Sequence, residues 1–471
     1  MMQGYFEKKS ANETVIFDVF FRENPVKNGY SIMAGLEQVI EYIKNLNFSY
    51  EDVDYLRSLN LFDETFLQYL SGFHFSGSIY AIPEGSVIFP KEPLLKVVAP
   101  IMEAQLVETA ILNIINHQSL IATKAARVCY AAKGDAIMEF GLRRAQGPDA
   151  GTYGARAAVI GGCVGTSNVL AGQMFDIPVK GTHAHSWIMS FKTELEAFRN
   201  YASLYPGNCL LLVDTYDTLK SGVPHAIQVF DEMKAKGIPL GLYGIRLDSG
   251  DLAYLSKKAR KMLDDAGYTD AVISASSDLD EYLIDSLHNQ GAKITSWGVG
   301  TNLITSKNCP AFGGVYKLAA VSDDEGNFIP KIKVSENIEK VTNPGNKTVF
   351  RLYDKNTGKI KADLIALADE HYNDSESLMI FDPIATWKKT WLAGGSFTVR
   401  ELLVPVFKNG ECVYTSPAVM DIRDYCAGEL DTLWDESRRL VNPQEVYVDL
   451  SKPLWDLKND LLDHVHNFTD K

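Results

Sequence analysis

A repeating order of strand, turn and helix fills the middle of this chain from Gly134 onward. Its strands are short and apolar, and the one predicted at 210–213 is almost wholly so, which is typical of a strand buried on both faces. A helical run follows most of them; the run at 224–236 repeats its apolar side chains at helical spacing and stops before Gly237. Strands joined by helices pair in parallel, so the repeat restricts this part of the chain to a parallel α/β sheet, open or closed.

Polar and small residues stand where these predicted strands end. The strands are predicted at 137–140, 157–160, 178–181, 210–213, 242–245, 272–275, 294–297 and 314–318. The residues at their carboxyl ends are Arg143 and Arg144, 166–168, 182–186, Asp214, 246–251, Ser277 and Asp278, and 298–301. Many strand ends that converge on one site are typical of a (β/α) barrel, whereas an open doubly wound sheet concentrates its contacts at one switch point. The sequence therefore favours a barrel.

The two ends of the chain lack this repeat. Near the start we predict strands at 14–21, 76–82, 86–89 and 94–98 and helices at 30–46 and 104–132; near the end, strands at 348–352, 361–367 and 397–407 and a helix at 418–440. A chain of 471 residues also exceeds what one hydrophobic core usually serves. We predict a mixed α+β domain at 1–133, a barrel domain at 134–345 and a C-terminal segment at 346–471 that packs with the first domain.

The composition restricts the partners of this protein. Its formal net charge of -14 and pI near 5.2 argue against nucleic acid and anionic membranes as partners. The six cysteines are scattered without a Cys-x-x-Cys pair, which favours reduced thiols in a cytoplasmic protein over disulfides or a zinc site. The first 15 residues show no signal-peptide pattern, and polar residues interrupt the uncharged run at 157–175, so we predict no membrane span.

The segment Gly181-Thr-His-Ala-His-Ser-Trp187 crowds two histidines and two hydroxyls into one turn. Imidazole near neutral pH can act as an acid, a base, a metal ligand or a phosphate acceptor. The segment supplies no further ligand at the spacing of a zinc site. A helix start capped by Ser or Thr, with incidental histidines, also explains the segment, and on these residues alone it is the better explanation.

Three other strand ends admit both a chemical and a structural interpretation. Arg246 and Asp248 are two apart, so they can face one site or form a structural ion pair. The glycines of 298–301 expose backbone N–H groups suited to a phosphate, or simply make a turn. Arg143 and Arg144 precede a Gln-Gly-Pro loop, where they can clamp a phosphate or remain a solvated charge pair.

Taken together and in this order, five segments resemble the motifs of the nicotinate phosphoribosyltransferase family. They are Phe140-Gly-Leu-Arg-Arg-Ala-Gln-Gly-Pro-Asp149, Gly181-Thr-His-Ala-His-Ser186, Asp214-Thr-Tyr-Asp217, Arg246-Leu-Asp-Ser-Gly-Asp251 and Gly298-Val-Gly-Thr301. The resemblance covers nearly the whole chain, and the combination is specific although each segment is not. It implies a type II phosphoribosyltransferase: an irregular α/β barrel beside a second, smaller mixed α+β domain built from both chain ends, acting as a homodimer with shared sites.

The resemblance also implies the reaction and its cofactors. The family joins nicotinate to 5-phosphoribosyl 1-diphosphate with Mg²⁺, and releases pyrophosphate and nicotinate mononucleotide for NAD synthesis. Turnover is coupled to the hydrolysis of ATP, a co-substrate, through a phosphorylated histidine. Nicotinate, 5-phosphoribosyl 1-diphosphate and ATP are therefore the expected small-molecule partners.

The expected site residues follow from the matched motifs. His185 matches the phosphorylated histidine, Thr182 and Arg246 the nicotinate contacts, and Thr301 a phosphoribosyl contact. Asp248 is the expected catalytic carboxylate, which would hold the ribose while positive charge builds on its anomeric carbon. The remaining phosphoribosyl contacts are expected at Arg143, Arg144, Asp214, Gly298 and Gly300, and no protein ligand to a metal is predicted.

Ser167 bears on the choice between an acid and an amide substrate. The segment Gly165-Thr-Ser-Asn-Val-Leu-Ala-Gly172 resembles a loop in which the nicotinamide enzyme carries an aspartate at the position of Ser167. An aspartate accepts a hydrogen bond from a carboxamide but repels a carboxylate, whereas a serine tolerates the acid. We therefore predict that Ser167 contacts nicotinate, although a serine that only caps a helix fits the same pattern.

Three other functions remain open at this point. A nicotinamide phosphoribosyltransferase shares the fold and much of the site, and a catalytically silent relative would keep the fold as an interaction module. An aldolase-type barrel could instead use Lys317 as a Schiff base.

The family usually begins with an Asp-x-Tyr segment whose tyrosine stacks on nicotinate from the partner subunit. This chain starts with Met1-Met2-Gln3-Gly4-Tyr5, which resembles the residues just after it, so we expect this sequence to lack the stacking group.

Overall fold

The computed structural model describes residues 1–8, 13–337 and 340–469. It contains two compact units: a flanking unit formed by 1–120, 311–417 and 424–471, and a barrel unit formed by 121–310 and 418–423. These boundaries differ from those predicted after 133 and 345. One continuous helix, Glu108–Ala131, contains the first boundary, and the second falls before a strand that belongs to the flanking unit. The flanking unit is consequently the larger of the two, not the smaller.

The N-terminal part of the flanking unit mixes helices and strands. Its helices are α1 (Met2–Glu7), α2 (Leu36–Asn45), α3 (Tyr50–Ser58), α4 (Glu64–Ser71), α5 (Ile101–Leu106) and α6 (Glu108–Ala131); its strands are β1 (Thr14–Phe21), β2 (Ser31–Ile32), β3 (Ser78–Ala81), β4 (Val87–Ile88) and β5 (Leu95–Pro100). Strand β1 has the predicted bounds. The helix predicted at 30–46 begins only at Leu36, because residues 31–32 pair with β4 and Gly35 takes a left-handed conformation.

The barrel unit carries the predicted repeat. Its strands are β6 (Ala136–Glu139), β7 (Gly165–Thr166), β8 (Asn208–Leu212), β9 (Leu242–Leu247), β10 (Val272–Ala275) and β11 (Ser296–Val299). Its helices are α7 (Pro148–Ile160), α8 (Val169–Phe175), α9 (His185–Met189), α10 (Glu194–Leu204), α11 (Val223–Ala235), α12 (Leu252–Asp265), α13 (Glu281–Asn289) and α14 (Thr301–Ile304). The strands form one parallel half-barrel in the order β7-β6-β11-β10-β9-β8. The parallel α/β prediction is confirmed.

Two strands predicted in this repeat are wrong or much reduced. Residues 157–160 are the last turn of α7, not a strand, and this Ala-rich turn is buried on every side. A short apolar run has the same pattern in a buried helix as in a buried strand, which explains the error. The strand predicted at 178–181 consists of one parallel bridge, between Val179 and Thr166.

The segment 178–183 nevertheless joins the two edges of the half-barrel. The Lys180 N–H donates to the Thr166 carbonyl at 2.9 Å, beside β7. At the other edge, His183 Nε2 accepts a hydrogen bond of 3.2 Å from the backbone N–H of Leu212 on β8. A histidine ring therefore replaces a strand contact where the sheet would close, which makes the barrel irregular.

The C-terminal part of the chain completes the flanking unit. Its strands are β12 (Gly314–Ser322), β13 (Phe328–Pro330), β14 (Lys347–Asp354), β15 (Ile360–Leu367), β16 (Leu378–Phe381), β17 (Lys389–Leu392), β18 (Phe397–Glu401), β19 (Val404–Lys408), β20 (Glu411–Cys412) and β21 (Tyr447–Leu450). Its helices are α15 (Val419–Asp431), α16 (Asp435–Arg438) and α17 (Lys452–Thr469). Strand β19 pairs with β3, so the prediction that both chain ends share one domain is confirmed.

Strand β12 corrects the prediction that 314–318 continues the parallel repeat. It pairs antiparallel with β1 in a seven-stranded sheet, with Lys317 opposite Asp18. Lys317 therefore belongs to the antiparallel sheet of the flanking unit and not to a parallel strand of the barrel, so the premise of an aldolase-type barrel lysine is wrong. Among the described residues, no helix combines the length and apolar character needed to cross a membrane.

Candidate active site

The carboxyl ends of six parallel strands meet at one edge of the half-barrel. The sheet order divides this edge into two halves. The ends of β8, β9 and β10, with the segment that meets them, form the bonded half (residues 182–185, 214, 246–249 and 276). The ends of β11, β6 and β7 form the open half (residues 139–144, 166–168 and 298–301). Every predicted site residue lies in one of these halves.

Asp214 is the centre of the bonded half. It follows β8, and its side chain is only 2% exposed. Its Oδ1 lies 3.2 Å from His185 Nε2, and its Oδ2 accepts hydrogen bonds from the Asp248 N–H at 2.8 Å and the Ser249 hydroxyl at 2.7 Å. One buried carboxylate thus ties the histidine motif to the end of β9.

Arg246 is held by three side chains from three different strand ends or loops. Its Nε donates to Ser276 Oγ at 2.9 Å, Nη1 to Thr182 Oγ1 at 2.6 Å, and Nη2 to Asp248 Oδ1 at 3.0 Å. The Ser276 hydroxyl also donates to Asp248 Oδ1. A guanidinium has more N–H donors than these contacts use, so it is fixed in orientation and still able to bind a carboxylate.

The two histidines of the motif have different environments. His183 is 8% exposed, and burial is the main cause that lowers its pKa to about 4, so its ring is a neutral acceptor. The side chain of His185, the first residue of α9, is 39% exposed and reaches Asp214. No side chain caps α9, and the Thr182 hydroxyl binds Arg246 instead. The interpretation of the motif as a capped helix start is therefore wrong.

Glycines shape the open half. A Cβ on Gly298 would come within 2.7 Å of the Phe140 ring, and one on Gly300 within 3.0 Å of the Phe140 carbonyl oxygen. Only glycine therefore lets the ends of β6 and β11 approach so closely. Thr301 begins α14 directly after them. The exposed Arg143 and Arg144 lie on a short turn, 142–144, beyond β6.

Comparisons with known proteins show which family this chain belongs to. The models of the nicotinate phosphoribosyltransferase (NAPRTase) N-terminal domain, family and C-terminal domain match residues 1–116, 136–325 and 346–458 respectively. The nicotinate phosphoribosyltransferase of Bacillus subtilis is 47% identical over 97% of this chain and 92% of its own length. This chain belongs to the nicotinate phosphoribosyltransferase family. The human member is 31% identical over 98% of this chain and 94% of its own length.

Solved structures show the same fold for this family member. The crystal structure of human nicotinic acid phosphoribosyltransferase has a TM-score of 0.85 at 28% identity and covers 98% of both chains. A nicotinate-nucleotide pyrophosphorylase from Pyrococcus furiosus has a TM-score of 0.68 at 24% identity, covers 91% of this chain and 92% of its own, and shows the fold alone. The expected combination of a barrel and a domain built from both chain ends is thereby confirmed.

Ser167 lies in the open half of this phosphoribosyltransferase. It is exposed, and its backbone N–H donates to the Glu139 carbonyl at 3.0 Å. Helix α8 is capped by the next residue, Asn168, whose Oδ1 accepts from the Ala171 N–H at 3.1 Å. The alternative in which Ser167 caps the helix is therefore wrong, and its contact with nicotinate stays a prediction.

Two residues that the structure places at this edge were not predicted from the sequence. Glu139 ends β6, where its buried carboxylate accepts from Thr166 Oγ1 at 2.6 Å and from the Gly141 N–H, and burial raises its pKa. Ser276 orients Arg246 and Asp248 together. Glu139 could have been predicted from the sequence, because an acidic residue at the end of an apolar strand needs a buried partner or a function. For Ser276 the sequence offered only its position directly after β10.

Proposed function

We propose that this protein transfers the phosphoribosyl group of 5-phosphoribosyl 1-diphosphate to nicotinate, and that it works in NAD biosynthesis. The observation that carries the proposal is Arg246, whose orientation is set by Thr182, Ser276 and Asp248 at the strand-end edge. Its guanidinium pairs with the nicotinate carboxylate through charge-assisted hydrogen bonds, and Thr182 lies beside that pair. The pyridine nitrogen is then the nucleophile that attacks the anomeric carbon of the ribose.

The two halves of the edge have different roles in this displacement: the bonded half holds the base and the ribose, and the open half binds the phosphates. Asp248 uses Oδ1 within the protein, while its Oδ2 has no donor among the described residues and its side chain is 31% exposed. That oxygen is suited to the ribose, where positive charge builds in the transition state. Arg143, Arg144 and the N–H groups of 298–301 bind the phosphates, so that the pyrophosphate leaves with its charge neutralised.

Magnesium is expected with the diphosphate substrate rather than in a protein cage. Among the described residues, no group of three or more His, Cys, Asp or Glu is arranged to hold a metal ion. Asp214 uses both of its oxygens within the protein, whereas Asp248 uses only Oδ1 and leaves Oδ2 without a donor among the described residues. This donor set fits an ion that keeps phosphate and water ligands, as Mg²⁺ does with nucleotides. When bound, Mg²⁺ would neutralise negative charge on the leaving pyrophosphate.

We also propose that ATP phosphorylates His185. The Asp214 carboxylate, 3.2 Å from Nε2, favours the tautomer with a proton on that nitrogen. The lone pair then stands on Nδ1, which attacks the γ-phosphorus of ATP while ADP leaves. Asp214 acts here as a positioning residue, and its separate assignment to the phosphoribosyl group remains a prediction. A phosphate on His185 would bring new charge and acceptor oxygens to the bonded half.

The test of this proposal is phosphate labelling. The protein is incubated with γ-labelled ATP and Mg²⁺, and the acid-labile label is mapped; formation of nicotinate mononucleotide is measured with and without ATP. We expect the label on His185, no label in His185→Ala, and loss of ATP stimulation in that variant with the basal reaction retained. His183→Gln is the control and should still be labelled. Label on His183, or label retained in His185→Ala, contradicts the assignment; no nicotinate mononucleotide from the unaltered protein contradicts the function.

Further expectations concern assembly and location. We propose a homodimer with sites shared between subunits and a cytoplasmic location. The supporting observations are the family membership and six cysteines that are all free thiols. Light scattering tests the dimer directly: a single monomeric species of 52.3 kDa at working concentrations would contradict it.

A further inference from the structure

A cavity of about 320 Å³ lies within the flanking unit. Its walls come from β1, β15, β21 and α17, and none of its lining residues belongs to the bonded or the open half of the candidate active site. Helix α17 presents Trp455, Lys458, Asn459 and Leu462 to it, the spacing of one helix face. The proposed phosphoribosyl transfer makes no use of this cavity.

Positive charge in this cavity exceeds negative charge. Three lysines and one aspartate line it: Lys91, Lys347, Lys458 and Asp18. Asp18 is already paired with Lys347, whose Nζ lies 2.8 Å from Asp18 Oδ2, and both side chains are almost fully buried. Among the described residues, neither Lys91 nor Lys458 has a carboxylate within ion-pair distance. Neither ammonium group therefore forms an ion pair within the described part of the chain; Lys91 is exposed, and Lys458 is half-buried.

The surroundings of Lys458 show the effect of this imbalance. Its Nζ donates to Asn343 Oδ1 at 2.8 Å, a neutral partner. Burial, followed by repulsion from Lys91 and Lys347, lowers the pKa of Lys458 to about 8. The nearby Asp382 carboxylate attracts Lys91 without forming an ion pair with it. Its Oδ1 accepts hydrogen bonds from the backbone N–H groups of Ile384 and Ala385 instead. An anion in the cavity would reverse this repulsion.

Two further features of the cavity indicate which groups a bound anion would carry besides its charge. Oδ1 of the nearly buried Asp18 has no hydrogen-bond donor among the described residues, so a ligand hydroxyl can donate to it. Trp455 is fixed, because its indole N–H donates to the Pro383 carbonyl at 3.1 Å and its ring packs edge-on with Phe381. A fixed indole in a cavity wall offers an aromatic ring a surface for stacking.

From the two lysines that lack an ion-pair partner among the described residues, the unpartnered oxygen of Asp18 and the indole of Trp455, we infer that this cavity is a second small-molecule site for an aromatic organic phosphate that carries a hydroxyl donor. The phosphate binds Lys91 and Lys458, the hydroxyl donates to Asp18, and the ring packs on Trp455. These are the features of a mononucleotide, whose size suits a cavity of this volume.

A fluorine label at Trp455 tests this inference locally. The full chain is labelled with 5-fluorotryptophan, and the Trp455 resonance is assigned with Trp455→Phe. AMP is the probe; ribose 5-phosphate, which lacks the base, and adenosine, which lacks the phosphate, are its two fragments. We expect AMP to shift the Trp455 resonance saturably, and each half to bind more weakly by at least about tenfold, because the charge and the ring act together.

Lysine variants then separate the cavity from other binding sites. Lys458→Met should raise the AMP dissociation constant measured at Trp455 by at least about tenfold, since it removes a half-buried charge but keeps the side-chain stem. Lys389→Ala, on the exposed strand β17, is the control and should change nothing. If Lys458→Met loses its dispersed fluorine spectrum, Lys91→Met serves in its place. The shift should persist in His185→Ala and Arg246→Lys, so its result does not depend on the proposed function. No saturable shift with AMP, or an unchanged constant in the lysine variant, would overturn the inference.

Discussion

At the ends of β8, β9 and β10 the polar side chains bind one another, whereas at the ends of β11, β6 and β7 several of them are exposed. In the bonded half, Asp214 and Arg246 together contact residues from three segments of chain, at 182–185, 248–249 and 276. In the open half, Glu139 holds the loops from within, while Arg143, Arg144 and Ser167 remain exposed. The two halves belong to one sheet but differ in how far the protein alone orders them.

This difference corresponds to what each half is proposed to bind. A planar base with one carboxylate needs a fixed guanidinium, and fixed donors stabilise a transition state without reorganising during the reaction. A diphosphate has many acceptor oxygens and brings its own ions, so exposed arginines and bare backbone N–H groups are enough. We therefore expect substitutions in the bonded half to have larger effects than those in the open half.

The largest effect is expected at Asp214. In Asp214→Asn the amide must turn an N–H₂ group toward either His185 or the two donors from Asp248 and Ser249. Hydrogen bonds to a charged group contribute about 1.5–3 kcal/mol each, so kcat/KM for nicotinate with ATP present should fall about a hundredfold. Ser249→Ala removes one donor only, and because this contact is exposed, water can replace the hydroxyl; the variant should cost about threefold. If kcat/KM of Asp214→Asn stays within about threefold of that of the unaltered protein, the Asp214 carboxylate does not hold the bonded half together.

His183 gives a pH-dependent test of the bonded half. Its pKa is about 4 in the folded protein against an ordinary 6.5, so below pH 6.5 the unfolded chain binds a proton that the folded chain excludes. The free energy of unfolding is therefore fully retained above pH 6.5 and falls as the pH drops toward 4. Between pH 6.5 and about pH 5 the loss should be about 2 kcal/mol.

Urea unfolding of two variants checks this linkage. Gln at position 183 keeps an acceptor for the Leu212 N–H and does not titrate, so His183→Gln should lose less stability over that pH range. The exposed His74→Gln is the control and should follow the unaltered protein. Identical pH profiles for all three proteins would exclude the buried neutral imidazole as a source of acid sensitivity.

Arg246→Lys tests the base-binding role of the bonded half. A lysine keeps the charge but cannot bind Ser276, Thr182, Asp248 and a carboxylate at once. We expect kcat/KM for nicotinate to fall at least about tenfold, with the KM for 5-phosphoribosyl 1-diphosphate less affected. Arg199→Lys, in a surface pair with Glu232, is the matched control and should remain fully active. Unchanged kinetics in a folded Arg246→Lys would refute the role of Arg246.

The smallest effect is expected at Ser167, in the open half. An aspartate there repels the nicotinate carboxylate by about 1 kcal/mol across exposed solvent, so Ser167→Asp should lower the preference for nicotinate over nicotinamide about fivefold. Asparagine matches aspartate in size without its charge, so Ser167→Asn should leave the preference for nicotinate over nicotinamide near that of the unaltered protein. Equal kcat/KM for both bases in the unaltered enzyme would favour the nicotinamide alternative. A ratio unchanged by the aspartate would remove Ser167 from the base site.

Much of the fold was predictable because it depends on local patterns. Strands β1 and β10 have the predicted bounds, since alternation and short apolar runs reflect burial directly. The parallel order of the barrel unit followed from helices between strands, and the motifs marked the edge on which the site lies. The sequence alone therefore determined the class, the repeat and the family.

Only the tertiary structure decided what each motif does. It made 157–160 a helix, placed β12 in the antiparallel sheet, and separated a buried His183 from an exposed His185 two residues later. It also brought Glu139 and Ser276 into the site. These outcomes depend on partners distant in the chain: Leu212 for His183, Asp214 for His185 and β1 for β12. A residue's burial and hydrogen bonds are set by such neighbours, and no local pattern encodes which ones the fold supplies.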